Sequence, residues 1–257
     1  MSSRPRALRP RALRPRALVT GAGIRLGRAM AVALAQDGFD LVLHYRSSES
    51  AVQVTAKMCA AHGAKAQVVQ ADLGLVEGCT ALASAAGAVD LLVNSAALYK
   101  AVPIEDITPQ QWEQMLAVNT RAPFLLTQAL LPGLRACKRP GGGCVVMLGD
   151  IGGQRPTPGF THYSVSKAGL LMLTQALAME LAPAVRVNAI NPGTVLAPED
   201  LSDQVLTQIQ DSIPAKRFGS PDDIVGALRY LVSAQYVTGQ SINVDGGRSV
   251  GGPMEAG

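Results

Sequence analysis

The chain has 257 residues, 48% hydrophobic and 16% charged, the balance of a soluble globular protein long enough for one large α/β domain. No apolar run reaches the roughly 18 residues of a membrane span, so we expect no membrane partner and a cytoplasmic location. The formal charge of +4 suggests a basic protein, but three tandem copies of Arg-Pro-Arg-Ala-Leu at 4–18 carry six arginines, and without them the charge becomes −2; a nucleic-acid partner thereby loses its main support.

A proline every five residues prevents a continuous helix in that repeat. Residues 1–15 therefore read as a disordered extension, or as a basic arm for phosphates or an acidic partner. The last copy runs into the first strand, so the folded domain is expected over 16–257. Cys59, Cys79, Cys137 and Cys144 show no CxxC spacing, and His44, His62 and His162 complete no ligand set with them. They read as reduced thiols in a protein without a metal site.

Short β-branched apolar runs alternate with segments of helical period. The strands are expected at 16–20, 40–45, 66–70, 89–93, 143–148, 185–190 and 241–244. The helices are expected at 26–37, 49–62, 75–86, 110–131, 162–182 and 221–233. This order predicts a single Rossmann-type α/β domain, a seven-stranded parallel sheet with helices on both faces. Gly38 and Gly63 stand where C-terminal caps stand. Ser220-Pro221-Asp222-Asp223 reads as an N-cap, a proline at the first helical position and acidic residues near the helix dipole. Residues 194–217 lack strong periodicity and follow a strand on the ligand edge of such a sheet; they read as a mobile flap or as a surface excursion.

Thr20-Gly21-Ala22-Gly23-Ile24-Arg25-Leu26-Gly27 joins the first strand to the first helix. Glycines there let the backbone approach a dinucleotide's phosphates, and the helix N-terminus offers free N–H groups. The second strand ends in His44-Tyr45-Arg46-Ser47-Ser48, with no acidic residue before Glu49. Arg46, Ser47 and Ser48 suit a 2′-phosphate, so NADPH is expected rather than NADH; a solvated turn is the alternative. Tyr163 and Lys167 lie one helical turn apart, where an ammonium would lower the phenol's pKa and let it act as an acid–base group.

With these motifs in order, residues 17–250 resemble the short-chain dehydrogenase/reductase family. The resemblance implies cofactor contacts at Thr20, Gly21, Arg25, Leu26 and Gly27, at His44, Tyr45, Arg46 and Ser47, and at Asp72 and Leu73. It implies further contacts at Asn94, Ala96, Pro192, Gly193 and Thr194, together with Tyr163 and Lys167. Asn119 matches the helix asparagine that helps hold a water beside the lysine and links it to solvent. Members usually form tetramers through the two long helices and the last strand, which implies a homotetramer.

Two positions depart from the family pattern. Asp150 occupies the place of the usual serine, and Arg25 replaces the second glycine of the nucleotide loop. Both resemble the pteridine reductases, with their Asp-Tyr-Lys set and Arg-Leu-Gly loop ending. That resemblance implies Asp150, Tyr163, Lys167 and Asn119 as the catalytic set, and Arg25, Tyr99, Asp150 and Tyr163 as substrate contacts. Tyr99 would stack on a flat heterocycle, although Leu98 is an equally near candidate and Tyr99 could be core or interface. Arg25 could instead close a surface salt bridge. The expected activity is NADPH-dependent reduction of dihydropterins or pterins of the biopterin or folate type. A reductase of 3-oxoacyl or other ketones is the alternative, and a weakly catalytic NADPH-binding scaffold a second.

Overall fold

Successive residues of a strand point to opposite faces of its sheet, and here both sets are apolar. In β1 (Arg16–Val19), Ala17 and Val19 join one hydrophobic cluster while Leu18 joins the other. The same split holds in β4 (Leu91–Asn94) and β5 (Gly143–Leu148): Leu91, Val93, Cys144 and Val146 face one way, Leu92, Val145 and Met147 the other. A sheet apolar on both faces must be covered on both.

A computed structural model describes residues 14–196 and 202–251 and shows this arrangement. The remaining strands are β2 (Asp40–Tyr45), β3 (Ala66–Gln70), β6 (Val185–Pro192) and β7 (Ser241–Val244). All pairings are parallel, in the order β3-β2-β1-β4-β5-β6-β7. Helices α1 (Arg25–Gln36), α2 (Glu49–Ala61) and α8 (Pro221–Ser233) supply residues to the first cluster. Helices α3 (Val76–Ala86), α5 (Ala122–Ala136) and α6 (Thr161–Leu181) supply the second. The chain runs outward through β1, β2 and β3, then resumes at β4 on the other side of β1. The strand order reverses there, and the crevice beyond β1 and β4 is where such sheets bind ligands.

Local signals account for the ends of several helices. Gly38 and Gly63 have φ of 92° and 74° just beyond α1 and α2. At α8, Ser220 and Asp223 cap each other reciprocally, with Pro221 at the first helical position. Arg217 adds a two-pronged bond to Asp223 at 2.8 and 2.9 Å.

Three regions differ from the sequence reading. The helix expected over 110–131 starts as α4 (Pro109–Leu116), widens into a π turn at Ala117–Arg121 and continues as α5 to Ala136. Within 194–217 lies a helix, α7 (Asp203–Ser212), whose N-cap Ser202 accepts from the Val205 N–H; residues 197–201 are outside the described part. Arg14, assigned to the extension, donates to the carbonyls of Ala35, Gly38 and Gly63 at 2.8, 2.9 and 2.6 Å, closing the ends of α1 and α2. The rest of the Arg/Pro repeat before it lies outside the described residues.

Leu92 is fully buried in β4, at the centre of the sheet. Leu92→Ala is expected to cost about 2–5 kcal/mol through lost burial and the cavity left behind. Urea unfolding measures this, and a loss below about 1 kcal/mol would show that this layer collapses to fill the space.

Candidate active site

The loop between β1 and α1 is tightened by contacts that only small residues allow. A Cβ on Gly27 would lie 2.1 Å from the Gly21 carbonyl oxygen, so α1 starts directly against the loop. Arg25 holds the left-handed backbone (φ 49°) at the position where the family pattern has glycine. No side chain caps the N-terminus of α1, which leaves its first N–H groups for a ligand. Thr20 binds this loop to the one after β4: its Oγ1 accepts from the N–H groups of Ser95 and Ala96, both at 2.9 Å.

These loops wall a cleft of about 370 Å³. Among the expected cofactor residues, Gly21, Arg25, Leu26, Gly27, His44, Tyr45, Arg46, Ser47, Asp72, Leu73 and Ala96 all line it. Arg25 and Arg46 are exposed and have no side-chain hydrogen bond or ion pair among the described residues, so no salt bridge holds Arg25. His44 is buried, and both its ring nitrogens are engaged. Nδ1 accepts from the Gly21 N–H at 3.1 Å, which leaves Nε2 to donate to the Ala71 carbonyl at 3.1 Å. Its ring therefore braces the glycine loop from beneath, and burial holds its pKa below the ordinary value. Asn94 is buried with its Oδ1 unpartnered, its Nδ2 resting on the Met147 sulfur at 3.2 Å. Pro192, Gly193 and Thr194 stand apart from the cleft wall, at the end of β6. The Gly193 N–H reaches the Val244 carbonyl at 3.1 Å, and Thr194 Oγ1 accepts from Arg248.

Beside the cleft, beyond Leu148, lies the expected catalytic set. Asp150 caps the 3-10 turn Ile151–Gly153: its Oδ1 accepts the Gly152 N–H at 2.6 Å, and its Oδ2 accepts the Tyr163 O–H at 2.7 Å. Lys167, one turn along α6, is buried and donates to the Leu148 carbonyl at 2.8 Å. Its Nζ stands 5.7 Å from the centre of the Tyr163 ring. Burial lowers the Lys167 pKa from 10.5 to about 8, against the opposing pull of Asp150.

The electrostatics of Tyr163 run opposite to the sequence expectation. Burial and then the Asp150 charge and hydrogen bond push its phenol well above the ordinary value. Lys167 does not offset them, because the carboxylate holds the hydroxyl directly while the ammonium faces a carbonyl. Asn119, in the π turn, is likewise differently engaged. Its amide pairs with the backbone of Leu98, accepting at 2.8 Å and donating at 3.0 Å, and donates to Ser166 Oγ at 2.9 Å. Ser166 Oγ in turn donates to the Tyr163 carbonyl at 2.7 Å. A π turn brings a side chain out of helical register, and here that side chain locks the β4 loop to α6.

Tyr99 lies over the site but stacks on Phe160, with centroids 4.7 Å apart, and meets the Tyr163 ring edge-on at 4.8 Å. Sequence reasoning missed Phe160, whose only signal was its closeness to Tyr163, and Ser166, which lies between Tyr163 and Lys167. It also missed Arg248, for which no local pattern speaks. Among the described residues, no group of three His, Cys, Asp or Glu is placed to hold a metal ion, and no helix is long and apolar enough to cross a membrane.

This loop, sheet and Tyr-Lys helix define a nicotinamide-dependent oxidoreductase of the Rossmann type. A family model described as enoyl-(acyl carrier protein) reductase matches residues 21–249. The 3-oxoacyl-[acyl-carrier-protein] reductase FabG of Staphylococcus epidermidis is 33% identical over 239 residues, which are 90% of this chain and 97% of that protein. The crystal structure of acetoin dehydrogenase YohF from Salmonella typhimurium superposes with a TM-score of 0.84 at 32% identity, covering 95% of this chain and 99% of the other. A blue fluorescent protein from a metagenomic library, solved in complex with NADPH, gives 0.83 at 30% identity over 91% and 97% of the two chains. The chain belongs to the short-chain dehydrogenase/reductase family, whose members use a nicotinamide cofactor.

The Lys167 titration has a consequence for stability. Between about 8 and 10.5 the unfolded chain holds the Lys167 proton and the folded protein does not. This group therefore makes stability rise with pH across that window. Lys167→Met is expected to remove that rise, read as the change in urea midpoint between about pH 7.5 and about pH 9.5. Identical changes in both proteins would show that the folded state keeps the lysine charged.

Proposed function

We propose that the protein is an NADPH-dependent reductase in which Tyr163 protonates a polarised double bond of the substrate. The preference for NADPH rests on Arg25 and Arg46, exposed on the wall of the nucleotide cleft with no acidic partner among the described residues. When bound, the nicotinamide cofactor supplies the hydride to the carbon of that bond. The uncapped end of α1 and the Thr20-braced loops would hold its phosphates. Lys167 has ammonium protons to spare beyond its bond to Leu148, and they suit a ribose hydroxyl.

For the substrate we propose a reduced pterin, and the observation that carries this is the Asp150–Tyr163 hydrogen bond at 2.7 Å. A carboxylate on the phenol makes Tyr163 a poor proton donor. A substrate that donates its own ring and amino N–H groups to Asp150 spreads that charge and releases the phenol. Tyr163 then gives its proton to the ring nitrogen as the neighbouring carbon is reduced, and solvent protons restore it. A ketone oxygen only accepts and offers Asp150 nothing. A second reading, reduction of a ketone, has the better support from the relatives, which include a 3-oxoacyl-[acyl-carrier-protein] reductase and an acetoin dehydrogenase.

We also propose self-association through the outer face of α5 and α6, where Phe124, Val165, Met172 and Met179 are exposed apolar side chains. Paired Met172→Lys and Met179→Lys changes are expected to dissociate the assembly; light scattering checks this, and an unchanged mass would remove this face from the interface.

Oxidation of NADPH and NADH, followed by nicotinamide absorbance, should show turnover of dihydrobiopterin or dihydrofolate and little of acetoin or a 3-oxoacyl thioester. Asp150→Ser should lower pterin kcat about a hundredfold or more while NADPH binding holds. Ketone turnover with inert pterins, and ketone rates raised in Asp150→Ser, would establish the second reading instead.

A further inference from the structure

One row of residues crosses three strands at the carboxyl edge of the sheet. Leu148 pairs with Ile190, and Asn191 pairs with Asn243. The Gly149 N–H extends the first ladder to the Ile190 carbonyl at 2.8 Å, so Gly149 and Asn191 meet. Gly149 stands between the two groups that hold the site. The Leu148 carbonyl before it accepts from Lys167 at 2.8 Å, and the Asp150 carboxylate after it accepts from Tyr163 at 2.7 Å. A turn of the backbone at Gly149 would move both acceptors together.

Asn191 bears on that backbone, and its side chain is fully buried. Nδ2 donates to Asn243 Oδ1 at 2.9 Å, which leaves Oδ1 facing Gly149. Oδ1 has no hydrogen-bond partner, and an enclosed acceptor without a donor costs stability. A Cβ on Gly149 would lie 2.0 Å from this oxygen; besides Asn191, only the flexible end of Leu171, at 3.0 Å, comes near. Gly149 is not among the residues of positive φ, so no left-handed torsion demands glycine there. The amide oxygen excludes a side chain, and it rests on the Gly149 Cα as in a weak Cα–H···O contact. Asn243 is anchored in turn: it and Gln154 exchange amide hydrogen bonds at 2.8 and 3.1 Å. Gln154 ends the 3-10 turn that Asp150 caps. The contacts close a ring, from Asp150 through Gln154, Asn243 and Asn191 back to Gly149.

We propose that Asn191 is a positioning residue that fixes Gly149, and through it the acceptors of the Tyr163 hydroxyl and the Lys167 ammonium. This rests on the reductase reading above, in which those two groups act. Displacing an acid by about 1 Å from its working place can cost a hundredfold in rate.

Carbon NMR of protein labelled at tyrosine Cζ reads the Tyr163 hydroxyl without a substrate, its resonance assigned by its loss in Tyr163→Phe. Asp150→Ser marks where that resonance lies once the carboxylate is gone. At neutral pH, where the other groups facing Tyr163, Lys167 and Tyr99, are unchanged, Asn191→Ala is expected to move it most of the way there. Gly149→Ala should move it likewise, because the new methyl and the amide oxygen cannot both fit. In the double variant the methyl takes the space of the amide, and the resonance should return most of the way to its wild-type place. An unmoved resonance in Asn191→Ala overturns the proposal. So does a double variant whose shift is the sum of the single ones, the behaviour of independent packing defects. Should Asn191→Ala not fold, Asn191→Ser replaces it under the same outcomes. In turnover, kcat of Asn191→Ala should fall about tenfold or more while the Kd for NADPH holds. An equal loss of NADPH affinity would make Asn191 a general strut and overturns the proposal too. Because the resonance needs no substrate, it decides the positioning even if the reductase reading fails.

Discussion

The approach of Gly27 to the Gly21 carbonyl is the constraint on which the site depends. Because no Cβ intervenes, α1 begins against the end of β1, and its uncapped N–H groups open into the crevice where the strand order reverses. Thr20 then joins the loops after β1 and β4 through one hydroxyl, and His44 spans from the Gly21 N–H to the end of β3. Three loops distant in the chain thereby become one wall. Two apolar clusters hold the sheet rigid beneath them, so the wall stands on strand ends that cannot shift independently.

The proposed catalytic groups share one electrostatic problem. Burial disfavours charge on both Tyr163 and Lys167, and Asp150 acts on each in a different sense. It supports the ammonium and opposes the phenolate. The carboxylate thereby keeps Tyr163 protonated, the state in which a reductase needs its acid. In the proposed pterin reaction, chemistry is coupled to substrate recognition through a single oxygen. The second oxygen of Asp150 is taken by the Gly152 N–H, so the side chain cannot turn away.

Family membership and substrate choice lie at different places in the molecule. The fold is shared with relatives that include an acyl-carrier-protein reductase and an acetoin dehydrogenase. Asp150 holds the Tyr163 hydroxyl beside the stacked Tyr99–Phe160 pair, and the proposed substrate choice rests on this side of the site. Function resides in sites built on a fold rather than in the fold itself, so similarity over nine-tenths of the chain leaves these few side chains to decide.

Much of this was legible in the sequence because periodicity is local. Alternating apolar strands and amphipathic segments placed all seven strands and their parallel pairing, and Ser220-Pro221 with Asp223 marked the start of α8. The spacing of Tyr163 and Lys167, and Asp150 thirteen positions before Tyr163, identified the residues that the structure brings together. Tertiary structure decided their relations. It bound the Tyr163 hydroxyl to Asp150 rather than leaving it under the influence of Lys167, inserted a π turn that directs Asn119 to Leu98 and Ser166, placed Phe160 against Tyr99, and brought Arg248 to Thr194. The physical reason is that a pKa, a stacking partner and an unpaired charge depend on distances of a few ångströms between residues far apart in the chain. Only the closed packing of loops on the sheet sets those distances.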